Sequence, residues 1–89
     1  MTSPWQVVKE DLEATIEFTE QAWLAAAQLL EASKAAATTF ERVAPHVSSN
    51  PAFQHAAEEI KKLVSLAEQA YVTAPTCYHA ADDANRSFT

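Results

Sequence analysis

Apolar side chains recur along the first half of the chain at alternating steps of three and four residues. That spacing aligns them on one side of an α-helix, as in the seam of a coiled coil. With Thr19 and Ser33 filling the register, the seam consists of Trp5, Val8, Leu12, Ile16, Trp23, Ala26, Leu30, Ala37 and Phe40. Ser3 suits the N-cap, and Pro4 fits the first helical position because its missing N–H needs no partner there. We predict a first helix over about residues 4–42.

A second apolar stripe lies beside this seam on the same helix. At about 100° per residue it is roughly a quarter turn away from the seam. Its members are Phe18, Ala22, Ala25, Leu29, Ala32 and Ala36. The second helix of a hairpin covers only one stripe. We therefore predict that the second stripe binds a partner protein.

The second half of the chain repeats the helical pattern after a loop predicted over residues 43–50. Asn50 and Pro51 supply the N-cap and the first helical residue. The seam positions of this second helix are Phe53, Ala57, Ile60, Val64, Ala67, Tyr71, Ala74 and Tyr78. We predict a helix over about residues 51–74.

Pro75 interrupts the second helical pattern. Its ring clashes with the carbonyl one turn earlier and it offers no N–H, so we predict a kink followed by a helical tail over residues 76–88. A short loop makes the two helices antiparallel. With the middle of the turn placed near residue 47, Trp23 meets Tyr71 across the seam.

These elements predict an all-α fold, in which the whole chain forms one antiparallel two-helix hairpin. The chain has 89 residues, of which 48% are hydrophobic, and it contains no glycine. Glycine supplies the positive φ of tight turns and phosphate-binding loops, so its absence argues against hairpin-rich β folds and P-loops. A hairpin has a seam but no interior. We expect it to dimerise into a four-helix bundle.

The charge of the chain limits its partners. Twelve acidic and six basic side chains give a formal net charge of −6. We therefore predict no nucleic-acid partner, and binding to an anionic membrane surface is disfavoured for the same reason. Much of the acidity lies on a polar back of the first helix, formed by Glu10, Glu13, Glu17, Glu20, Gln21, Gln28 and Glu31. No apolar run approaches the roughly 20 residues that span a bilayer, and no signal peptide is predicted.

No group of residues has the spacing of an active site. The two loop serines and the three histidines suggest no nucleophile with its base. His55 and His79 are each followed by acidic residues on one helical face, but this order reverses the Glu-x-x-His motif of di-iron bundles. Cys77 has no flanking Lys or Arg to activate its thiol, and a half-buried structural role is expected. We predict no enzyme activity, no catalytic residue, no metal site and no cofactor.

Tyr78 and Asp82 near the end of the chain form a Tyr-x-x-x-Asp motif. Residues at i and i+4 share one helical face, where a receptor can read both. In this motif, and in its hairpin architecture without a signal peptide, the chain resembles the small proteins of the type VII (ESX) secretion system, the WXG superfamily. The segment 78–85 looks most like the tails of the EspC-like and PE-like branches.

This resemblance implies a dimeric four-helix bundle that the secretion machinery exports by a signal-peptide-independent route, to the cell envelope or beyond. It carries over Tyr78 and Asp82 as the export signal. The family's Trp-x-Gly turn is replaced here by residues 45–48, Pro-His-Val-Ser. The chain would then be either a homodimer or the signal-bearing subunit beside a partner hairpin with Trp-x-Gly.

A second hypothesis needs no export. The chain is then a cytoplasmic helical-bundle adaptor, an immunity-like or antitoxin-like protein, or a small regulator. Such a protein would bind its partner through the apolar stripe around Phe18, Leu29 and Ala36.

Overall fold

The computed structural model describes residues 3–47 and 49–87 and consists of two long helices. Helix α1 spans Pro4–Val47 and helix α2 spans Pro51–Arg86. They lie side by side in a rod of 67 × 20 × 14 Å, and 44 residues of α-helix at 1.5 Å each account for its length. The all-α hairpin is confirmed. Its dimerisation stays a prediction.

Both helix starts have the caps that the sequence predicts. The Ser3 Oγ accepts a hydrogen bond from the Gln6 N–H at 3.2 Å. At the start of α2, the Asn50 Oδ1 accepts from the N–H groups of Ala52 and Phe53 at 2.9 and 3.3 Å. These side chains satisfy backbone donors that have no partner inside the helix. The caps therefore fix where each helix begins.

The end of α1 differs from the prediction, because the helix continues to Val47 instead of ending near Arg42. Pro45 lies in its last turn, where its missing N–H removes only one helical hydrogen bond. Val43 and Ala44 are half-buried. Packing of this last turn against α2 offsets the lost hydrogen bond, and residues 43–47 of the predicted loop become part of the helix.

The turn is consequently shorter than predicted, with only residues 48–50 between the helices. Ser48, which falls in the predicted loop, lies outside the described residues. The middle of the turn lies two residues further along the chain than predicted, near residue 49. The pairing of α2 residues with α1 residues is therefore shifted from the predicted pairing. Trp23 now lies between Tyr71 and Tyr78 along α2, and its ring contacts Tyr78 at a centroid distance of 6.0 Å.

Pro75 does not end the second helix, which runs through it to Arg86. Ala74 and Ala81 are buried in the seam on either side of the proline, so packing holds the backbone helical across it. The predicted tail is thus the last part of α2. Its final predicted residue, at position 88, lies outside the described residues.

The seam between the helices is thin, because the side chains at its buried centre are all small. Its buried residues are Ala26, Ser33, Ala67, Ala74 and Ala81. The buried Ser33 hydroxyl donates to the Leu30 carbonyl at 3.0 Å, which satisfies its hydrogen-bonding need. No large side chain of the described residues is fully buried. The larger apolar side chains of the seam are therefore only half-buried, and others lie exposed outside it.

The first two predicted seam positions, Trp5 and Val8, are not buried. Trp5 is 69% exposed and Val8 is 38% exposed. Helix α1 has 44 residues and α2 has 36, so the first turns of α1 extend past the last turn of α2. The seam therefore begins further along α1, at Leu12 and Ile16, which are half-buried.

Candidate protein-binding surfaces

The predicted stripe of α1 is exposed along most of its length. Its residues each precede a seam position by one, as Ala25 precedes Ala26, which turns them about 100° away from α2. Phe18 is 68% exposed and Leu29 is 44% exposed. Ala22, Ala25 and Ala32 are exposed too, whereas Ala36 is half-buried. All but the last residue of the stripe are thus available to a partner.

Helix α2 adds a second line of apolar residues to the same side of the hairpin. Residues that follow the seam by one on both helices, such as Glu41 and Lys61, line one common depression. In an antiparallel pair, residues that precede the seam by one must then share the opposite side. Between residues 63 and 77 of α2, the apolar residues at these positions are Leu63, Leu66, Ala70 and Cys77, and Thr73 is polar. Together with the α1 stripe they form what we call the apolar face.

The sequence prediction missed the α2 half of this face. Leu66 is 61% exposed and extends the apolar surface of the α1 stripe onto α2. The spacing of Leu66, Ala70 and Cys77, at steps of four and seven, was the available signal. This spacing identifies an exposed apolar line on α2 only when the residues that form the seam are already known.

An aromatic groove runs along the other side of the hairpin, where residues follow the seam. It has a volume of about 460 Å³ and is lined by Glu20, Trp23, Leu24, Ala27, Tyr71 and Tyr78. The rings of Trp23 and Tyr78 are inclined at 51° to each other. Tyr71 is 42% exposed and Leu24 is 62% exposed. The groove is therefore an open trough with aromatic walls.

Negative charge borders the aromatic groove along α1. The acidic residues Glu13, Glu17, Glu20 and Glu31 lie at helical spacing along this side, with Leu24 between the last two, and all are exposed. This acidic row therefore gives the groove a negative potential.

Tyr78 and Asp82 share one side of α2, as their spacing predicts, but both contact other residues of the chain. The Tyr78 ring is half-buried against Trp23 and lies 5.6 Å from His79 between centroids. An Asp82 carboxylate oxygen is 2.9 Å from the Arg86 Nη2, and the Asp82 side chain is 25% exposed. Tyr78 thus belongs both to the predicted export signal and to the groove wall.

Cys77 and the other candidate ligand side chains show no second functional site in the described residues. Cys77 is exposed, which corrects the half-buried position expected for it. Within residues 3–47 and 49–87, no three His, Cys, Asp or Glu side chains are grouped so that they could hold a metal ion. No helix of this described part is both long and apolar enough to cross a membrane.

One carboxylate has a shifted pKa. The Lys62 ammonium donates a hydrogen bond to Glu59 at 3.0 Å, and this bond and its positive charge lower the pKa of the Glu59 carboxyl. Both side chains are at least half exposed, so the pair contributes little to stability.

Comparison of the chain with protein-family models, with curated proteins and with solved structures gave no match. The resemblance to type VII secretion proteins therefore rests on the hairpin architecture and on the Tyr78–Asp82 motif.

Proposed function

We propose that this chain is a non-enzymatic, protein-binding hairpin whose apolar face packs against another helical hairpin. The exposed Phe18 and Leu66, on two different helices but on one side of the rod, carry this proposal. Contiguous apolar patches on small soluble domains commonly mark protein interfaces. Because the seam buries few side chains, covering the apolar face would add substantially to the stability of the chain.

The composition of the apolar face suits helix-on-helix packing. From Phe18 to Ala32 the α1 stripe extends for about 20 Å at 1.5 Å per residue. Its alanines permit a close approach of a second helix, and Phe18 and Leu29 provide larger side chains that insert between residues of the partner. A second hairpin laid on this face completes a four-helix bundle, either as a homodimer or with a Trp-x-Gly partner.

We propose further that the bundle is a type VII secretion substrate or secretion partner. Tyr78 and Asp82 form its export signal and are read on α2 by the secretion machinery. The motif, its place near the end of α2 and the hairpin architecture support this role. Because Tyr78 also packs on Trp23, recognition of the tyrosine would involve its exposed edge and its hydroxyl.

Export from an actinobacterial host with an active type VII system tests this role. Tyr78→Phe keeps the ring packing and removes the hydroxyl, and Asp82→Asn keeps the shape and removes the charge. Both variants, and Tyr78→Ala, are expected in the cells and not in the culture filtrate. Tyr71→Phe, outside the motif on the same helix, is the matched control and is exported. Normal export of Tyr78→Ala would refute the assignment.

The second candidate function is a cytoplasmic adaptor, immunity-like or antitoxin-like, that uses the same apolar face. The intrachain contacts of Tyr78 and Asp82 favour it, because they give both residues a structural reason to be present. Recovery of the wild-type chain only from the cytosol of that host, bound to a partner that is not secreted, would support the adaptor over the export substrate.

A further inference from the structure

We propose that the aromatic groove is a second binding site, specific for an amphipathic helix of a partner protein that presents arginine beside leucine. The groove lies on the side of the hairpin away from the apolar face, so it remains open when that face is covered. This binding site goes beyond the proposed function and does not require it. Trp23, Tyr71 and Glu20 are its principal residues.

The aromatic walls provide the first reason. A guanidinium group is planar and stacks on aromatic rings, and tryptophan is the most favourable ring for a cation. The Trp23 and Tyr78 rings are 6.0 Å apart between centroids, and Tyr71 lines the same groove with 42% of its surface exposed. An arginine side chain entering here meets more than one ring.

Charge provides the second reason. Glu20 lines the groove, and Glu13 and Glu17 continue the acidic row towards the start of α1. Lys34 lines the neighbouring depression with Glu31, at the end towards the turn. A basic residue is therefore attracted to Glu20 within the groove, and its attraction is weaker near Lys34. This polarity fixes where along the groove the arginine lies.

The apolar part of the groove provides the third reason. Leu24 is 62% exposed, and Ala27 follows it in the floor. Leu24 is just over one helical turn from Glu20, so a partner helix that places arginine at Glu20 places its next turn over Leu24. A leucine of the partner helix at that position would pack on the exposed Leu24 side chain. The trough is open and extended, which suits a row of side chains better than an enclosed small molecule.

Two synthetic peptides test the site, both 18-residue amphipathic helices with the same leucine face. One carries arginine on its polar face and the other carries glutamate. The full chain is used with Trp5→Phe, so that Trp23 is the single tryptophan whose fluorescence is followed. The arginine peptide is expected to bind saturably and to weaken as salt rises, and the glutamate peptide is expected not to bind.

Variants locate the binding. Glu20→Gln is expected to weaken the arginine peptide about three-fold, as for an exposed ion pair, and Tyr71→Ala about five-fold. Glu58→Gln, an exposed acid on α2 outside the groove, is the matched control and should leave the affinity unchanged. Tyr71→Phe keeps the ring and should retain binding. Circular dichroism of each variant confirms that the helices are intact.

Phe18→Ser separates this proposal from the apolar face. It alters the apolar face alone, so the arginine peptide should still bind with unchanged affinity. Equal binding of both peptides, or unaltered affinity in Glu20→Gln and Tyr71→Ala, would overturn the groove proposal. Loss of binding in Phe18→Ser with retention in Tyr71→Ala would likewise overturn it and assign the peptide to the apolar face.

Discussion

The rings of Trp23 and Tyr78 contact each other across the seam, with centroids 6.0 Å apart. This contact makes the tyrosine of the predicted export motif a structural residue of the hairpin. It also forms a wall of the aromatic groove. The apolar face and the aromatic groove are separated by the seam to which this pair belongs.

Tyr78→Ala should destabilise the chain by about 2 kcal/mol, because it removes a half-buried ring that packs on Trp23. Tyr78→Phe keeps that ring and should cost less than about 0.5 kcal/mol. Urea unfolding followed by circular dichroism measures both values. Equal losses in the two variants would show that the hydroxyl, and not the ring packing, stabilises the hairpin.

Asn85 should be replaceable with a gain in stability. Its Oδ1 is buried and accepts no hydrogen bond from the described residues. Asn85→Leu removes this unsatisfied acceptor and adds apolar surface near the seam, for a gain of about 1 kcal/mol. Asn50→Ala provides the contrast, because it removes the N-cap of α2 and should cost about 1 kcal/mol. A loss in Asn85→Leu would mean that its amide makes a needed contact.

The Glu59–Lys62 pair should respond to pH without stabilising the fold measurably. Lys62→Ala should raise the pKa of Glu59 towards its ordinary value, since it removes the hydrogen bond and the charge that lower it. The contribution of a carboxyl with a lowered pKa is present above its unfolded pKa and is lost as the pH falls through its folded pKa. NMR titration of the side-chain carboxyl measures the shift, and Lys61→Ala is the control. An unchanged Glu59 pKa in Lys62→Ala would contradict the contact.

Cys77 should report on occupancy of the apolar face. Its thiol is exposed and lies on the α2 side of that face, so it should react readily with iodoacetamide in the isolated chain. When a hairpin partner or a second copy covers the face, alkylation should slow at least several-fold. Mass spectrometry of timed samples at low and high protein concentration follows the reaction. An unchanged rate in a proven complex would place the interface elsewhere.

The sequence predicted the helices and the seam because helical periodicity and end caps are local properties. Ser3 and Asn50 cap their helices as expected. The end of α1 was not predicted, because it depends on packing between helices that overrides a local preference. The helical continuation beyond Pro75 was predicted, and α2 runs through that residue to Arg86. A proline is tolerated in the last turn of one helix and beside buried alanines in the other.

The surfaces could be predicted only in part. The α1 stripe follows from spacing within one helix, and Phe18 and Leu29 are exposed as expected. The α2 half of the apolar face and the aromatic groove depend on which residues the two helices bring together. A two-residue error in the position of the turn was enough to pair Trp23 with the wrong tyrosine.

Light scattering coupled to size exclusion, with circular dichroism of the eluted peak, decides whether the apolar face needs a partner. The wild-type chain, of 9.7 kDa, is expected to elute as a helical species of about twice that mass, or to be poorly helical without its partner hairpin. For a homodimer, Phe18→Asp should lower the mass towards that of one chain, and Val72→Asp, on the outer side of α2, should not. A wild-type chain that is monomeric, fully helical and thermally stable would contradict the account, because its apolar face would then need no partner.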